Sequence, residues 1–305
     1  MKKSSNLTKK RIMSDDVSFY LFMAPFVLLF LLFTVIPIIA SMVLSFFDYD
    51  MVSSPIWIGF DNYIRMFTSD ELFFTVLGNS LKFGILVGPG GYLLAFLLAW
   101  MINEFPRPIR VLLTFIFYVP SLTSNATYIF QIMFSGDSYA YINNLLLSFG
   151  LITEPIQWFQ DTDYNFILIV AIQLWMSMGV SFLANIAGLQ NVSPEQYEAG
   201  AIDGIKTRWH ELWYITMPNM KNILLFSAVM QIQTAFSMGV LQTTLAGYPS
   251  VNNSLDTLVQ YLGDVGTTRY EMGYAAALSV ILFLIIIAFR YLIGGLLNLV
   301  GKSDS

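Results

Sequence analysis

Six stretches of the chain carry no charged residue: Val17 to Phe47, Phe83 to Asn103, Val111 to Gly136, Tyr164 to Pro194, Asn222 to Leu255 and Met272 to Phe289. A helix needs roughly 20 residues to cross the hydrocarbon layer of a bilayer, so each of the six can span it, the last only just. Runs such as Leu28-Leu29-Phe30-Leu31-Leu32-Phe33 do not alternate apolar with polar positions, which excludes the strands of a membrane β-barrel. The pattern predicts an all-α membrane protein, a polytopic bundle of about six transmembrane helices. The expected spans are 17–47, 75–103, 111–134, 164–188, 221–244 and 271–297 in a single membrane domain of 17–300, with an N-terminus of 1–16 before it and a tail of 301–305 after it. No connecting loop is long enough to fold as a separate domain.

Composition agrees, and charge adds an orientation. Only 11% of residues are charged against 56% hydrophobic, too few to coat a water-soluble globule. With six spans, one side holds Lys2, Lys3, Lys9, Lys10, Arg11, Arg107, Arg110, Lys206, Arg208, Lys221, Arg290 and Lys302, which is 12 of the 15 basic residues. The positive-inside rule places that side, and both termini, in the cytoplasm. The opposite loops collect acids such as Asp48, Asp50, Asp61, Asp137, Asp161, Asp163 and Asp256, so the net charge of -5 is a feature of the outer face and no sign of nucleic-acid binding. The basic N-terminus and the apolar run after it also suit a cleaved signal peptide; the run is about twice the usual h-region of ~7–15 residues, which favours a retained span. Cysteine is absent, which removes disulfides, thiolate catalysis and cysteine metal sites together.

Helix breakers punctuate the spans: Pro25 and Pro37 in the first, Gly88-Pro89-Gly90-Gly91 interrupting the second, and Pro120 in the third. Such residues either kink a helix along a cavity or let helices pack closely through small side chains, and the residues alone leave both readings open.

One cytoplasmic stretch, the loop 189–220, is unlike the rest. Ser193, Pro194 at the first helical position and Gln196 read as a capping-box start. Gly204 suits a left-handed end to that helix, and Asp203 sits at its negative pole. Thr207 is placed to cap a second short helix in which Trp209, Leu212, Trp213 and Thr216 form one largely apolar stripe, and Pro218 redirects the chain into the fifth span. In the first helix Ala199, Gly200 and Ala201 are small enough for another backbone to approach, and Glu198 supplies a charge beside them. A helix of about ten residues is marginal in water, so it needs a packing partner, whether another protein or its own bundle.

The segment resembles the EAA loop of permeases from binding-protein-dependent ABC importers. Glu198-Ala199-Gly200, Asp203-Gly204 and Ile215-Thr216-Met217-Pro218 stand at the family's spacings, with Gly200 and Met217 replacing the usual alanine and leucine. Ala187-Gly188-Leu189-Gln190 before the loop and Trp57-Ile58-Gly59-Phe60-Asp61-Asn62-Tyr63 after the first span are similar to the maltose-type sugar permeases. The resemblance implies a coupling role for Glu198, Ala199, Gly200, Ala201, Asp203, Gly204 and Pro218, docked in a cleft of a cytoplasmic ATPase. It also implies a second permease subunit, two ATPase subunits that bind ATP and Mg, an extracellular solute-binding protein, a bacterial cytoplasmic membrane, and a sugar, oligosaccharides included, as the solute.

This chain is expected to hold no cofactor or metal and to catalyse no reaction itself. Gly301-Lys302-Ser303 lacks the earlier glycine of a P-loop, since position 296 is leucine, and His210 is the lone histidine. The spans carry amides rather than acids. Gln131, Gln173, Gln231, Gln233 and Gln242, with Trp175 and Phe236, suit a sugar's hydroxyls and ring face, although for any one amide interhelical hydrogen bonding is the more ordinary explanation. The rivals are an ion-coupled carrier, which should show membrane-embedded carboxylates, and an intramembrane enzyme, for which no nucleophile and base are found.

Overall fold

The computed structural model describes residues 19–123 and 126–300, the side chains of 293, 294 and 296–300 excepted. The N-terminus of 1–16 and the tail of 301–305, with Gly301-Lys302-Ser303, lie outside the described residues. In chain order, α1 (Phe19–Leu44) leads through a short hairpin, β1 (Phe47–Asp48) and β2 (Ile56–Trp57), to α2 (Asp61–Thr68) and α3 (Glu71–Asn103). Next come α4 (Arg107–Leu122), α5 (Ala126–Met133), α6 (Tyr141–Ser148), α7 (Thr162–Met176) and α8 (Gly179–Asn191). α9 (Pro194–Ile202) and α10 (Arg208–Glu211) precede α11 (Lys221–Phe236), followed by α12 (Val240–Ala246), α13 (Leu258–Gly263) and α14 (Met272–Val300).

The protein is an all-α membrane protein. Among the described residues α1, α3 and α14 are each long and apolar enough to cross a bilayer, and α4 with α5, α7 with α8, and α11 with α12 pass the same test as bent pairs. The bend is 47° between α7 and α8 and 43° between α11 and α12.

Among the described residues, those up to Ile64 together with Val265–Val280 form one compact unit, and those of 65–264 with those from Ile281 onward form the other. In the first unit α1 exposes Phe, Leu and Ile all round, as a helix surrounded by hydrocarbon does. Pro37 has no N–H for the carbonyl of Phe33, and just before it the helix widens into a π turn, Leu31–Val35, in which the Ile36 N–H reaches back to Leu31 O. After α1 the segment Trp57 to Tyr63 folds back on the helix end. Asn62 Nδ2 donates to Ser45 O (2.9 Å) and Phe47 O (3.0 Å), and Tyr63 Oη donates to Ser45 Oγ (2.8 Å). Carbonyls left over at a helix terminus are thereby satisfied by side chains. Gly273 donates its N–H to Tyr49 O, and a Cβ there would lie 1.9 Å from Phe47 O, so only glycine fits.

In the second unit α3, α8 and α11 pack around one another. Here Gly88-Pro89-Gly90-Gly91 does not interrupt the helix as the sequence suggested: α3 runs unbroken for 33 residues with Pro89 inside it. The small residues serve contact instead. Gly84 lies under the ring of Phe236, Gly88 faces Ala235, and Gly91 lies against Ser177 and Gln231. A polar seam joins the neighbourhood of α8 to α11: Gln231 Nε2 donates to Ser177 O (3.0 Å) and Ser181 Oγ (2.7 Å), and Ser227 Oγ donates to Asn185 Oδ1 (2.9 Å). Two apolar clusters flank this seam, one around Phe96, Phe182, Leu189, Leu212 and Ile215, the other around Phe83, Phe130, Ile169, Leu241 and Leu255. The loop after α12 is tied to α3 by Asn79 Nδ2, which donates to Asn253 O (2.8 Å) and Asp256 O (3.1 Å), and by Ser80 Oγ, which accepts from the Leu258 N–H (2.8 Å). Burial pushes the Asp256 carboxyl above its ordinary pKa, against the opposing effect of the Ser250 N–H that it accepts.

The glycine contacts are testable. A Cβ at Gly84 would fall 2.5 Å from the Phe236 ring, whereas Gly78, on the same helix, has nothing within 4 Å. Gly84→Ala is expected to cost about 1–3 kcal/mol through overpacking. Gly78→Ala is expected to stabilise the helix by about 0.5–1 kcal/mol. Thermal midpoints of the two purified variants in detergent should move in opposite directions.

Candidate functional site

α9 begins at Pro194, whose missing N–H costs nothing in the first turn. The expected capping box does not form: Ser193 makes no side-chain cap, and the Gln196 amide oxygen instead accepts from Asn219 Nδ2. The helix ends as expected at Gly204, φ +94°, in a Schellman motif. Gly204 N–H donates to Ala201 O (3.3 Å) and Ile205 N–H to Gly200 O (2.9 Å).

Little else holds this helix to its own protein. Only Gly200 is buried, against Ile215 and Ile205, and the half-buried Tyr197 shares a hydrogen bond with Thr216 Oγ1 (3.0 Å). Glu198, Ala199, Ala201, Asp203 and Gly204 are exposed, and Ile202 is 87% exposed. Five of the seven candidate residues of this loop therefore form one free surface around a rigid helix end, with Gly200 as the point of attachment beneath it.

The second helix is placed by three contacts. Thr207 Oγ1 caps it by accepting the His210 N–H (3.3 Å). Arg208 bridges two carboxylates, Glu211 Oε2 at 2.7 Å and Glu104 Oε2 at 2.6 Å, the latter just past the end of α3. The hydrogen bond that Arg208 donates to Glu211, followed by the charge of Glu104, raises the guanidinium pKa further above its already high ordinary value. Trp209 lies against Trp100 of α3 with ring centroids 5.4 Å apart.

After Glu211 the helix widens into a second π turn, Leu212–Thr216, where the Met217 N–H donates to Leu212 O. As with Pro37, the turn immediately precedes a proline: Pro218 has no N–H to give to the preceding turn, and Asn219 Nδ2 satisfies the Ile215 carbonyl (2.7 Å). The expected stripe divides between two faces: Leu212 and Thr216 are buried together with Ile215, while Trp209 and Trp213, four residues apart, are 58% and 54% exposed.

The candidate amides separate into distinct settings. Gln231 is buried in the seam of α8 and α11, Phe236 is buried on Gly84 and against Phe289, and Gln173 is buried in α7. Gln233 and Gln131 are exposed, and Trp175 is 37% exposed beside Phe130. Gln242 is 0% exposed, and neither its Oε1 nor its Nε2 has a hydrogen-bond partner among the described residues. The residues missed from sequence are Glu104, Trp100, Tyr197 and Asn219. Arg208 and Glu211 stand three apart on one helix face and could have been paired by eye, whereas nothing local links Arg208 to a carboxylate 104 positions away.

Residues 89–298 match the family of binding-protein-dependent transport system inner membrane components. The chain is 33% identical to the arabinooligosaccharides transport system permease protein AraP of Bacillus subtilis (strain 168), over 88% of this chain and 84% of that one. It is 30% identical to the lactose transport system permease protein LacF of Rhizobium radiobacter, over 91% of this chain and 93% of that one. Among solved structures, the bacterial alginate ABC transporter in complex with an alginate pentasaccharide-bound periplasmic protein contains a chain of the same fold, with TM-score 0.80 at 20% identity over 97% of this chain and 99% of that chain. The family match over residues 89–298 and the length and identity of these relatives lead to one assignment: the chain belongs to the family of binding-protein-dependent transport system inner membrane components.

Proposed function

We propose that this chain is a permease subunit of an ATP-driven importer that moves a sugar, oligosaccharides included, into a bacterial cell. The observation that carries the coupling role is α9: an ordered helix with a defined terminus that leaves Glu198, Ala199, Ala201 and Ile202 uncovered. An apolar side chain as exposed as Ile202 beside small residues is the surface a docking partner covers. The names of the relatives, for arabinooligosaccharides and lactose, support the sugar; the family assignment lends nothing to an ion-coupled carrier.

The partners in this reading are a second permease subunit, two ATPase subunits that bind ATP and Mg, and a solute-binding protein facing the acidic loops. Both termini lie in the cytoplasm, on the side of most basic residues. Glu198 serves as polar anchor, Ala199 to Ala201 as the close contact, Gly204 as the rigid end, and Pro218 with its π turn as the link to α11. The path for the solute runs along the exposed Gln233 and Trp175, with Gln131, Gln173 and Gln242 beside it, while Gln231 and Phe236 hold helices together in this conformation.

Arg208 gives the mechanism its stiffness. α9 pushes on the π turn through Gly200 and Tyr197, and the same segment is fixed to the end of α3 by Arg208–Glu104 and Trp209–Trp100. The ion pair is exposed and contributes only about 0–1 kcal/mol, so its part is to set geometry.

The importer reading is tested by uptake into proteoliposomes holding the assembled complex: a neutral sugar should enter only with ATP inside, and ATP-independent uptake driven by an ion gradient would overturn it. Glu198→Ala should abolish uptake while the chain stays in the membrane. Gly204→Val, which forces a β-branched residue to φ +94°, should do the same at a cost of about 1–2 kcal/mol. Glu104→Arg and Arg208→Glu should each lower the sugar moved per ATP hydrolysed, with partial recovery in the double charge swap. Equal ratios in all three would remove the strut from the mechanism.

A further inference from the structure

The ends of α5 and α12 and the segment between α6 and α7 line a half-open cavity of about 160 Å³. No charged residue lines it; its polar lining comes chiefly from Gln131, Gln157 and Gln160, and its aromatic wall includes Trp158 and Phe134. Gln157 Nε2 donates to Gly136 O (3.0 Å) and Gln160 Nε2 to Ala246 O (3.3 Å), which commits both amide nitrogens to the backbone. Their Oε1 atoms accept nothing from the described residues, and Gln131 makes no side-chain hydrogen bond among them.

The walls are built rather than incidental. Asn143 is 0% exposed and ties two segments of this loop, 135–137 and 156–158, together: its Nδ2 donates to Ser135 O, Asp137 O and Ile156 O, and its Oδ1 accepts the Trp158 indole N–H (2.9 Å). The Trp158 ring is further held edge-on by Phe134 and Tyr164. Recognition groups locked in advance lose little entropy when a ligand arrives.

We infer that this cavity is a subsite for one neutral glycosyl unit, sharing only Gln131 with the amides of the spans. Sugar hydroxyls donate to the amide oxygens of Gln157 and Gln160, whose nitrogens are held by the backbone, and the C–H face of a pyranose or furanose ring lies on an indole. The uncharged lining offers an acidic sugar no counter-charge, and burying a carboxylate there without one is costly. The assignment rests on the sugar reading proposed above and adds to it a place where the solute pauses beside α5 and α12 before entering the spans.

The test uses the full-length chain in lipid nanodiscs and saturation-transfer NMR with lactose and arabinotriose as neutral probes and an alginate trisaccharide as the acidic control. Saturation should pass to at least one neutral probe and not to the control. Gln157→Leu, which removes one acceptor, should weaken binding about fivefold, the worth of one hydrogen bond. Gly136→Ala keeps every lining group, yet its Cβ would meet Gln157 Oε1 at 2.0 Å and push that side chain aside, so it should weaken binding likewise. Thermal midpoints establish that both variants are folded. No transfer to either neutral probe, equal transfer in wild type and both variants, or preference for the acidic control would each overturn the subsite. ATP-driven uptake measured in parallel separates the two proposals: uptake without saturation transfer removes the subsite alone, and absence of ATP-driven sugar uptake removes the importer reading.

Discussion

Close approach between helices is the constraint on which the second unit depends. In a bilayer the surrounding lipid is as apolar as leucine, so burying apolar surface does little to bring helices together. What remains is contact at short range and hydrogen bonds between helices. Gly84, Gly88 and Gly91 provide the first by letting α3 meet α11 and the neighbourhood of α8 without an intervening side chain. Ser177, Ser181, Asn185, Ser227 and Gln231 provide the second. The two apolar clusters then fill the space that these contacts define.

The helix α9 follows the opposite rule. It is fastened through Gln196, Tyr197 and Gly200 and otherwise left open, with a Schellman terminus making up for the lack of cover. Its rigidity comes from local geometry, and its stand-off from the bundle leaves a face for another protein. The contacts of Arg208 and Trp209 with the end of α3 mean that a force on α9 reaches the long helix by a short route.

How much of this was legible in the residues depends on how local each feature is. Pro194 and Gly204 bracket α9 in the sequence as they do in space, because a helix start that needs no N–H and an end at positive φ are single-residue requirements. Thr207 as a cap is local in the same way. The misreadings had two physical sources. Gly88-Pro89-Gly90-Gly91 looks like a break because these residues end helices in water, whereas inside a bundle neighbouring helices support the backbone and exploit the missing side chains. The stripe from Trp209 to Thr216 is largely apolar, but apolar character alone does not say which positions the bundle covers: Leu212 and Thr216 are buried, Trp209 and Trp213 are not. The Glu104 partner of Arg208 and the serine partners of Gln231 lie far away in sequence, and no periodicity encodes them.

The π turns at Leu31–Val35 and Leu212–Thr216 hold one residue more than a regular turn needs. Absorbing that residue into an ordinary helix would advance the downstream segment by about 1.5 Å and spin it by roughly 100°. Beside Pro218 the extra residue thus stands for one screw step of the span that follows, a displacement along and about the helix axis where a proline kink alone would give a bend.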